Sequence, residues 1–333
     1  MGQAGRLTNR LFLVIVTCLL VYSCDENKKT SGAEGSNSSR PKNTQLVQVP
    51  EFNADSAYHY VQKQVDFGPR VPGTGSHSSC ASYLNGKLMT YGFSTIEQNA
   101  VLPTFDKRQY KLKNIIGSYR PELPSRILIA AHWDTRPWAD KDTINVNAPF
   151  DGANDGASGV GVALEIARQV QLQAPSVGLD IIFFDLEDYG DMGGDLSSWC
   201  LGSQYWSENL HKSNYTANYG ILLDMVGAPN AIFPKEGNSV NYASQVVNKV
   251  WNTAHELGYG NFFSMQRKDF VGVDDHIFIN KMGIPCIDIV EYKPSTGSFG
   301  DYHHTHGDNM SVIDKTTLKA VGQTLLHVIY NEP

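Results

Sequence analysis

Cysteine is scarce in this chain, which contains five among 333 residues. Two of them, Cys18 and Cys24, fall in the N-terminal segment, which leaves Cys80, Cys200 and Cys286. These three cannot form a disulfide framework, because at least one thiol would remain unpaired. We therefore expect all three to be small buried side chains.

The sequence also lacks a block rich in lysine and arginine. It carries 27 basic and 34 acidic residues, for a net charge of −7. Phosphate binding needs a concentrated basic face, so the composition argues against nucleic acid as the main partner. With 41% hydrophobic and 18% charged residues, the chain has the composition of an ordinary globular protein and the length for one large domain.

A long hydrophobic run is missing from the N-terminus. The apolar stretch at residues 11–22 follows two arginines and is too short for a membrane span, so residues 1–24 are expected to be a signal peptide. It ends in VYSC, which resembles a bacterial lipobox with Cys24 as the lipidated mature N-terminus. An ordinary secretory signal is the alternative. The polar residues 25–45 predict a flexible tether. Both alternatives predict export to the periplasm or cell envelope. If Cys24 is lipidated, the lipid anchor is expected to be the only membrane contact.

Residues 46–333 alternate strand-like and helix-like stretches without a repeat or a linker, which predicts one catalytic domain. Strands are expected at residues 94–101, 110–119, 126–132, 179–184, 219–227 and 284–290. Helices are expected at residues 55–67, 77–92, 158–172, 203–210, 242–258, 274–283 and 314–330. This alternation predicts an α/β fold, with a mixed but mostly parallel central sheet flanked by helices.

Acidic residues and histidines follow the central predicted strands. Ligands of open α/β sheets bind beyond the carboxyl ends of the strands, so these side chains are expected to meet in one crevice. An acidic loop with unrelated histidines is the alternative, and it accounts for single positions better than for the whole set. The candidates are His132, Asp134, Asp155, Glu187, Asp188, Asp224 and the segment 303–308.

A divalent cation would explain why so many carboxylates lie together, since carboxylates that share a cation no longer repel each other. Histidine, aspartate and glutamate without cysteine suit Zn²⁺. Asp134, two positions after His132, can hold its neighbour in place. The adjacent side chains of Glu187 and Asp188 cannot point the same way. One of them can therefore bind the metal while the other acts on the substrate as a general base or acid.

Six segments carry a resemblance to a known family: AHWDT, GANDGASGVGVALEIARQ, FFDLEDYG, LLDMVGAPN, DDHIFI and HHTHGD. They resemble the zinc aminopeptidase clan, and more closely its non-peptidase branch, the zinc-dependent type II glutaminyl cyclases. The resemblance runs from about residue 67 to the C-terminus. It implies the zinc aminopeptidase fold and an enzyme that converts the N-terminal glutamine of peptides or proteins to pyroglutamate with release of ammonia.

Three features favour the cyclase branch over the aminopeptidases. Aminopeptidases of this clan usually place Gly-Ser soon after the acidic pair, whereas here it comes at 202–203, after an insert at residues 189–201. Segments 222–230 and 274–276 also resemble cyclase segments. A di-zinc aminopeptidase is the alternative, with His132 and Asp224 holding the second metal. A non-catalytic binding lipoprotein is disfavoured, because no ligand position is lost.

Carried over onto this chain, the resemblance implies one zinc ion per chain, held by Asp155, Asp188 and His304. His304 is chosen among neighbouring histidines because residues 304–308 match the family pattern His-Thr-x-x-Asp. The remaining roles are Glu187 as general base and acid, Asp224 and Asp274 as its carboxylate network, and His132 and Asp134 as supports or relics of a second-metal position.

The chain departs from the animal cyclases at three positions. Asp188 stands where they have glutamate, His303 where a tryptophan precedes the ligand histidine, and Ala131 where they have a disulfide cysteine. The change at His303 alters the expected substrate pocket, whose missing aromatic wall must come from elsewhere. Candidates for the pocket are Trp199, Phe299, Tyr302 and His303. The enzyme is expected to act as a monomer.

Overall fold

The computed structural model describes residues 48–333 apart from 269, 294 and 295. The expected signal peptide and tether, residues 1–24 and 25–45, lie outside the described residues. The strands are β1 (Ser94–Pro103), β2 (Gln109–Tyr119), β3 (Arg126–His132), β4 (Gly178–Phe184), β5 (Tyr219–Asp224), β6 (Phe233–Lys235), β7 (Phe263–Arg267) and β8 (Cys286–Val290). The helices are α1 (Ala54–Val65), α2 (Gly75–Thr90), α3 (Ala157–Leu172), α4 (Leu201–Glu208), α5 (Gly237–Glu256), α6 (Asp275–Lys281) and α7 (Lys315–Tyr330).

Six of these strands form one mixed sheet in the order β1-β2-β4-β3-β5-β8. The pairs β1–β2 and β2–β4 are antiparallel, and β4, β3, β5 and β8 run parallel to one another. The predicted mixed, mostly parallel sheet is therefore confirmed. Strands β6 and β7 form a separate parallel pair that the sequence patterns did not predict. At three and five residues they are too short to show a period of two.

The central strands of the sheet are buried on both faces. Every residue of β3 and β4 is buried, which is why β4 appears in the sequence as a continuous apolar run. Along β3, Ile127 and Ile129 pack into a core under α1, α3, α5 and α7, whereas Leu128 and Ala130 pack into a second core under α4 and α6. Helices thus cover both faces, as expected.

Helix α3 packs closely against β5, and this contact positions the loop before it. A Cβ on Gly159 would lie 2.2 Å from the backbone oxygen of Leu223, so only glycine fits there. The close approach brings the loop that carries Asp155 beside the end of β5, where Asp224 lies. Helix–sheet packing therefore brings together two acids that are far apart in the sequence.

The three cysteines of the described part, Cys80, Cys200 and Cys286, are free and buried, as the sequence predicts. The structure adds that none of the helices it describes is both long enough and apolar enough to span a bilayer.

Candidate active site

The predicted site residues meet at one edge of the sheet. Strands β3 and β5 end at His132 and Asp224, and Glu187 and Asp188 come three and four residues after the end of β4. The loop before α3 supplies Asp155. Because β3, β4 and β5 are parallel, their carboxyl ends lie at the same edge, and the side chains that follow them face a common space.

His132 lies at the centre of one cluster. Its Nε2 atom is 3.0 Å from Asp155 Oδ1 and 3.4 Å from Asp224 Oδ1. Its Nδ1 atom is 3.7 Å from Asp134 Oδ1 and 3.9 Å from Glu187 Oε2. Burial opposes protonation of the ring, but the surrounding carboxylates outweigh it and raise the pKa of His132 well above its usual value.

His304 lies at the centre of a second cluster, which shares Asp155 with the first. Its Nε2 atom is 3.1 Å from Asp188 Oδ1 and 3.8 Å from Asp155 Oδ2. His304 Nε2 therefore lies close to both of the other predicted zinc ligands, Asp155 and Asp188. His303 approaches the same carboxylate, with its Nε2 atom 3.6 Å from Asp155 Oδ2, and its ring stacks on His304 at a centroid distance of 3.8 Å.

The two clusters have the chemistry of a divalent-cation site. Among the described residues, Asp155 Oδ2 and Asp224 Oδ1 are buried without a hydrogen-bond partner. A buried, unsatisfied polar atom costs about 1–3 kcal/mol, and more when it is charged, and a bound cation would remove that cost. Nitrogen and carboxylate oxygen donors without cysteine fit zinc. Each cluster contains three residues whose ligand atoms lie within 4.8 Å of one another: His132 with Asp155 and Asp224 in the first, and Asp155 with His303 and His304 in the second.

Two buried aspartates orient the acidic side chains through the backbone. Asp134 accepts hydrogen bonds from the backbone N–H groups of Glu187 and Asp188, at 3.1 and 3.3 Å. Asp308 accepts from the N–H groups of Asn154 and Asp155, at 2.7 and 3.1 Å. The last residue of the His-Thr-x-x-Asp pattern thus fixes the loop that carries Asp155, although it is distant from that loop in the sequence.

Sequence reasoning missed Arg136 and Asp140, which support the His304 cluster. The backbone N–H of Arg136 donates to Asp188 Oδ2 at 3.0 Å, and its guanidinium donates to the Asp188 backbone oxygen, also at 3.0 Å. Asp140 Oδ1 lies 3.3 Å from His304 Nδ1, the ring nitrogen facing away from Asp188. Arg136 is basic and Asp140 lies eight residues after the end of β3, so a search for acidic residues and histidines close to strand ends did not identify them.

The remaining carboxyls of the site share a buried, acidic environment. Burial and the carboxylates of Asp188 and Asp274 raise the pKa of Glu187 well above its usual value, against the opposing charge of His132. Burial likewise raises the pKa of Asp224 to about 7, although the nearby His132 ring acts in the opposite direction. Burial among other carboxylates therefore raises the pKa of both groups, the direction that suits a residue that takes up and returns a proton.

A cavity of about 420 Å³ opens onto these groups. Glu187, Asp188, Asp224 and Asp274 lie in its wall, together with residues of the insert 189–201. Within that insert, the Trp199 ring lies nearly parallel to the His304 ring, at 9° and a centroid distance of 6.1 Å. The insert at residues 189–201 therefore forms the part of the cavity wall that lies next to the His304 cluster.

The pocket candidates fall into two groups. Trp199, Phe299 and His303 line the cavity. Tyr302 is not part of the wall formed by the described residues, and its hydroxyl bonds to Glu291 and Asn154 instead. Tyrosine next to a histidine pair gave no sign in the sequence of which way its side chain points.

Four residues beside the acidic groups have a left-handed backbone that favours glycine. Leu186, Cys200, Met225 and His304 have φ values of 56, 57, 48 and 58°. Each such conformation costs a non-glycine residue about 1–2 kcal/mol, so the surrounding packing must hold it in place. Residue types such as leucine, cysteine and methionine do not indicate a left-handed backbone, so the sequence could not predict these conformations.

Replacing Gly156 with alanine is expected to destabilise the fold by about 1–3 kcal/mol, the usual cost of overpacking. A Cβ at this position would lie 2.4 Å from the backbone oxygen of His132 and 2.5 Å from its Nε2 atom. Thermal unfolding would measure the difference. Gly193→Ala is the matched control, because its Cβ would meet nothing within 4 Å. Equal melting temperatures for the two variants would show that a side chain at residue 156 does not crowd His132.

The chain matches peptidase family M28 over residues 114–329 and belongs to that family. It is 54% identical to the glutaminyl cyclase of Bacteroides thetaiotaomicron, whose crystal structure was determined with N-acetylhistamine bound. The two folds agree with a TM-score of 0.83 over 86% of this chain and 100% of that one. A leucine aminopeptidase precursor from Bacteroides thetaiotaomicron VPI-5482 is 53% identical, with the same TM-score and the same coverage. The expected zinc aminopeptidase-like fold and the resemblance to glutaminyl cyclases are confirmed.

More distant relatives include both activities. The glutaminyl-peptide cyclotransferase of the snake Boiga irregularis is 24% identical over 287 residues, which cover 77% of this chain and 75% of that protein. Aminopeptidase YwaD of Bacillus subtilis is 26% identical over 227 residues, which are 66% of this chain but only 44% of that longer protein. The family therefore includes both activities, and the similar proteins support the predicted glutaminyl cyclase while giving the aminopeptidase alternative no better support.

Proposed function

We propose that the protein is a glutaminyl-peptide cyclotransferase, which acts as a monomer on peptides or proteins with an N-terminal glutamine. It closes that residue into pyroglutamate and releases ammonia. The observation that carries the proposal is the insert 189–201, which forms a wall over the His304 cluster and places Trp199 beside the predicted ligands. The high identity to glutaminyl cyclase structures supports it.

Asp155, Asp188 and His304 are the residues we assign to a single zinc ion. His304 Nε2 lies within 3.8 Å of both carboxylates. The N–H of Arg136 engages Oδ2 of Asp188 and leaves Oδ1 on the side of His304. When bound, the ion would polarise the γ-carbonyl of the substrate glutamine and stabilise negative charge on its oxygen.

Glu187 is the residue we assign to proton transfer. Its carboxylate takes a proton from the α-ammonium group, and the free amine attacks the γ-carbonyl carbon to form the ring C–N bond. Glu187 then gives that proton to the departing nitrogen as the original amide bond breaks. The ring nitrogen still carries two hydrogens and gives one of them up, through Glu187, to the ammonia, which leaves as ammonium. The residue ends in its starting state. Ring closure is intramolecular, so the enzyme needs polarisation and proton transfer more than it needs to bring reactants together.

Asp224 and Asp274 are assigned as the acidic partners of Glu187. Both line the cavity beside it, where their carboxylates can accept hydrogen bonds from the substrate ammonium group. His132 and Asp134 are assigned to support: Asp134 holds the backbone of the acidic pair, and His132 lies between Asp155 and Glu187.

A di-zinc aminopeptidase is the second candidate, and one observation favours it. His132, Asp155 and Asp224 offer ligand atoms within 4.8 Å of one another, so a second metal position is complete. Sites that hold two metal ions are a common arrangement for hydrolysis. A count of two metals per chain would support this candidate.

The deciding experiment incubates protein lacking residues 1–24 with a peptide that begins with glutamine and, separately, with one that begins with leucine. Mass spectrometry, an ammonia assay and metal analysis follow the reaction. Loss of one ammonia from the glutamine peptide alone, with one zinc per chain, supports the cyclase. Shortening of the leucine peptide with two metals per chain would establish the aminopeptidase instead.

The mature chain is also proposed to begin at Cys24 and to be held at a membrane of the cell envelope by lipid on that residue. The support is the lipobox-like VYSC at residues 21–24. We expect Cys24→Ala to move the activity from the membrane fraction to the soluble fraction of the exporting cell. Activity that stays with membranes in this variant would remove the anchor from the proposal.

A further inference from the structure

We propose that Cys200 is a positioning residue, whose thiol holds the Glu187 carboxyl in the orientation that proton transfer needs. The inference rests on the proposed function, because it assumes that Glu187 carries the proton. Nothing in the composition or motifs of the chain distinguishes this cysteine from the other two buried ones.

The contact is a direct hydrogen bond behind the cavity. The Cys200 thiol donates to Glu187 Oε1 over an Sγ–O distance of 3.2 Å. Cys200 is completely buried and is not part of the cavity wall formed by the described residues, whereas Glu187 is. The thiol therefore cannot touch a substrate in the cavity, and it acts on the reaction only through Glu187.

Backbone hydrogen bonds also hold Cys200 next to Glu187. The N–H of Cys200 donates to the backbone oxygen of Glu187 at 2.9 Å, and the N–H of Leu201 donates to that of Leu186 at 3.0 Å. These two bonds join the end of the insert to the segment that carries the general base. The thiol and the carboxyl are thus held together at both backbone and side-chain level.

The backbone conformation of Cys200 indicates that its side chain is needed. With φ at 57°, the position would be occupied at lower cost by glycine or asparagine. A cysteine in this conformation has to be held by its surroundings, as residues at functional sites often are. The side chain it keeps there points at Glu187.

The surroundings of the thiol are acidic, which keeps it a neutral donor. Its sulfur lies within 4.8 Å of carboxylate oxygens of both Glu187 and Asp274. Burial and these carboxylates raise the pKa of Cys200 well above its usual value, so the S–H proton stays in place. A cationic donor would bind the carboxylate more strongly and make it a weaker base. A thiol orients the carboxyl and leaves it able to take up a proton.

The test compares Cys200→Ala with Cys200→Ser in the otherwise complete chain. Loss of a hydrogen bond to a charged group corresponds to about a tenfold to hundredfold change in rate. We expect Cys200→Ala to lower kcat for a glutamine-initiated peptide by that factor, with KM and zinc content unchanged. Cys200→Ser keeps a donor and is expected to restore most of the rate.

Two comparisons separate positioning from simple packing. Cys80→Ala removes another buried thiol, which is not part of the cavity wall formed by the described residues, and is expected to leave kcat unchanged. In a Glu187→Gln background, Cys200→Ala should cause no further loss, because residues that act as a unit are not additive.

The proposal would be overturned by a kcat within twofold of native in Cys200→Ala, or by equal losses in the serine and alanine variants. If the alanine variant does not fold, the serine variant decides: a kcat lowered tenfold or more in a stable Cys200→Ser protein contradicts positioning by a donor, and a near-native kcat supports it. A native protein without cyclase activity would instead refute the proposed function itself, so the two failures are distinguishable.

Discussion

Replacing Glu187 with glutamine is expected to lower kcat for a glutamine-initiated peptide by about 10²–10⁴-fold, the contribution typical of general acid–base catalysis. Glutamine has the same shape and can still accept the hydrogen bond from Cys200, but it cannot take up the ammonium proton. The side chain is not among the assigned zinc ligands, so the zinc content should equal that of the native chain. Steady-state kinetics and metal analysis of one preparation test both parts.

The control for this substitution is Glu122→Gln, which makes the same chemical change on an exposed side chain. Its kcat should be native. A Glu187→Gln protein that retains native activity would remove Glu187 from the mechanism. A variant that loses its zinc as well as its activity would place Glu187 among the metal ligands and Asp188 in the catalytic role. The sequence alone had left open which of these two adjacent residues has which role.

Replacing His304 with alanine is expected to remove the zinc ion and with it the activity. Even supporting residues of metal sites contribute about 10–100-fold to metal affinity, so the loss of a ligand should exceed that factor. Because zinc binds the folded chain, the variant should also lose the rise in melting temperature that zinc gives the native protein. Competition with a zinc-binding dye and thermal unfolding with and without zinc measure both effects.

Neighbouring histidines provide the controls for His304. His306 bonds to Asp142 at 2.9 Å and is partly exposed, so His306→Ala should bind zinc as the native chain does. His303 is the sharper comparison, because Asp155, His303 and His304 have ligand atoms within 4.8 Å of one another. Zinc that is retained by His304→Ala but lost from His303→Ala would reverse the assignment and make His303 the ligand.

The sequence predicted the central strands and their acidic ends because each buried apolar run stops where acidic and other polar residues begin. The apolar run of β4 stops at Phe184, and the acidic pair follows within a few residues. Elsewhere a side chain changes the boundary: α5 begins at Gly237, five residues earlier than expected. The carboxylate of Glu236 caps it by accepting from the N–H groups of Asn238 and Ser239. The Gly-Asn-Ser that follows Glu236 has the composition of a loop, so the pattern concealed this helix start.

The site was less predictable where contacts connect distant loops. Asp140 and Arg136 reach His304 and Asp188 from a segment without periodicity, and no spacing rule connects them. Trp199 and Tyr302 were equivalent candidates on composition, yet one lines the cavity and the other bonds to Glu291. Side-chain direction in loops depends on the fold around it, which a single sequence does not contain.

The two backbone hydrogen bonds from Cys200 and Leu201 fix the base of the insert. The base and the tip of the insert should therefore differ in how well they tolerate changes of sequence. Its tip, which includes Gly193, faces the cavity and has open space around it. Surface loops whose ends are fixed tolerate changes of sequence and length between those ends. Related enzymes can therefore vary the tip to accept different peptides, while the closed base keeps the general base in place and the chemistry the same.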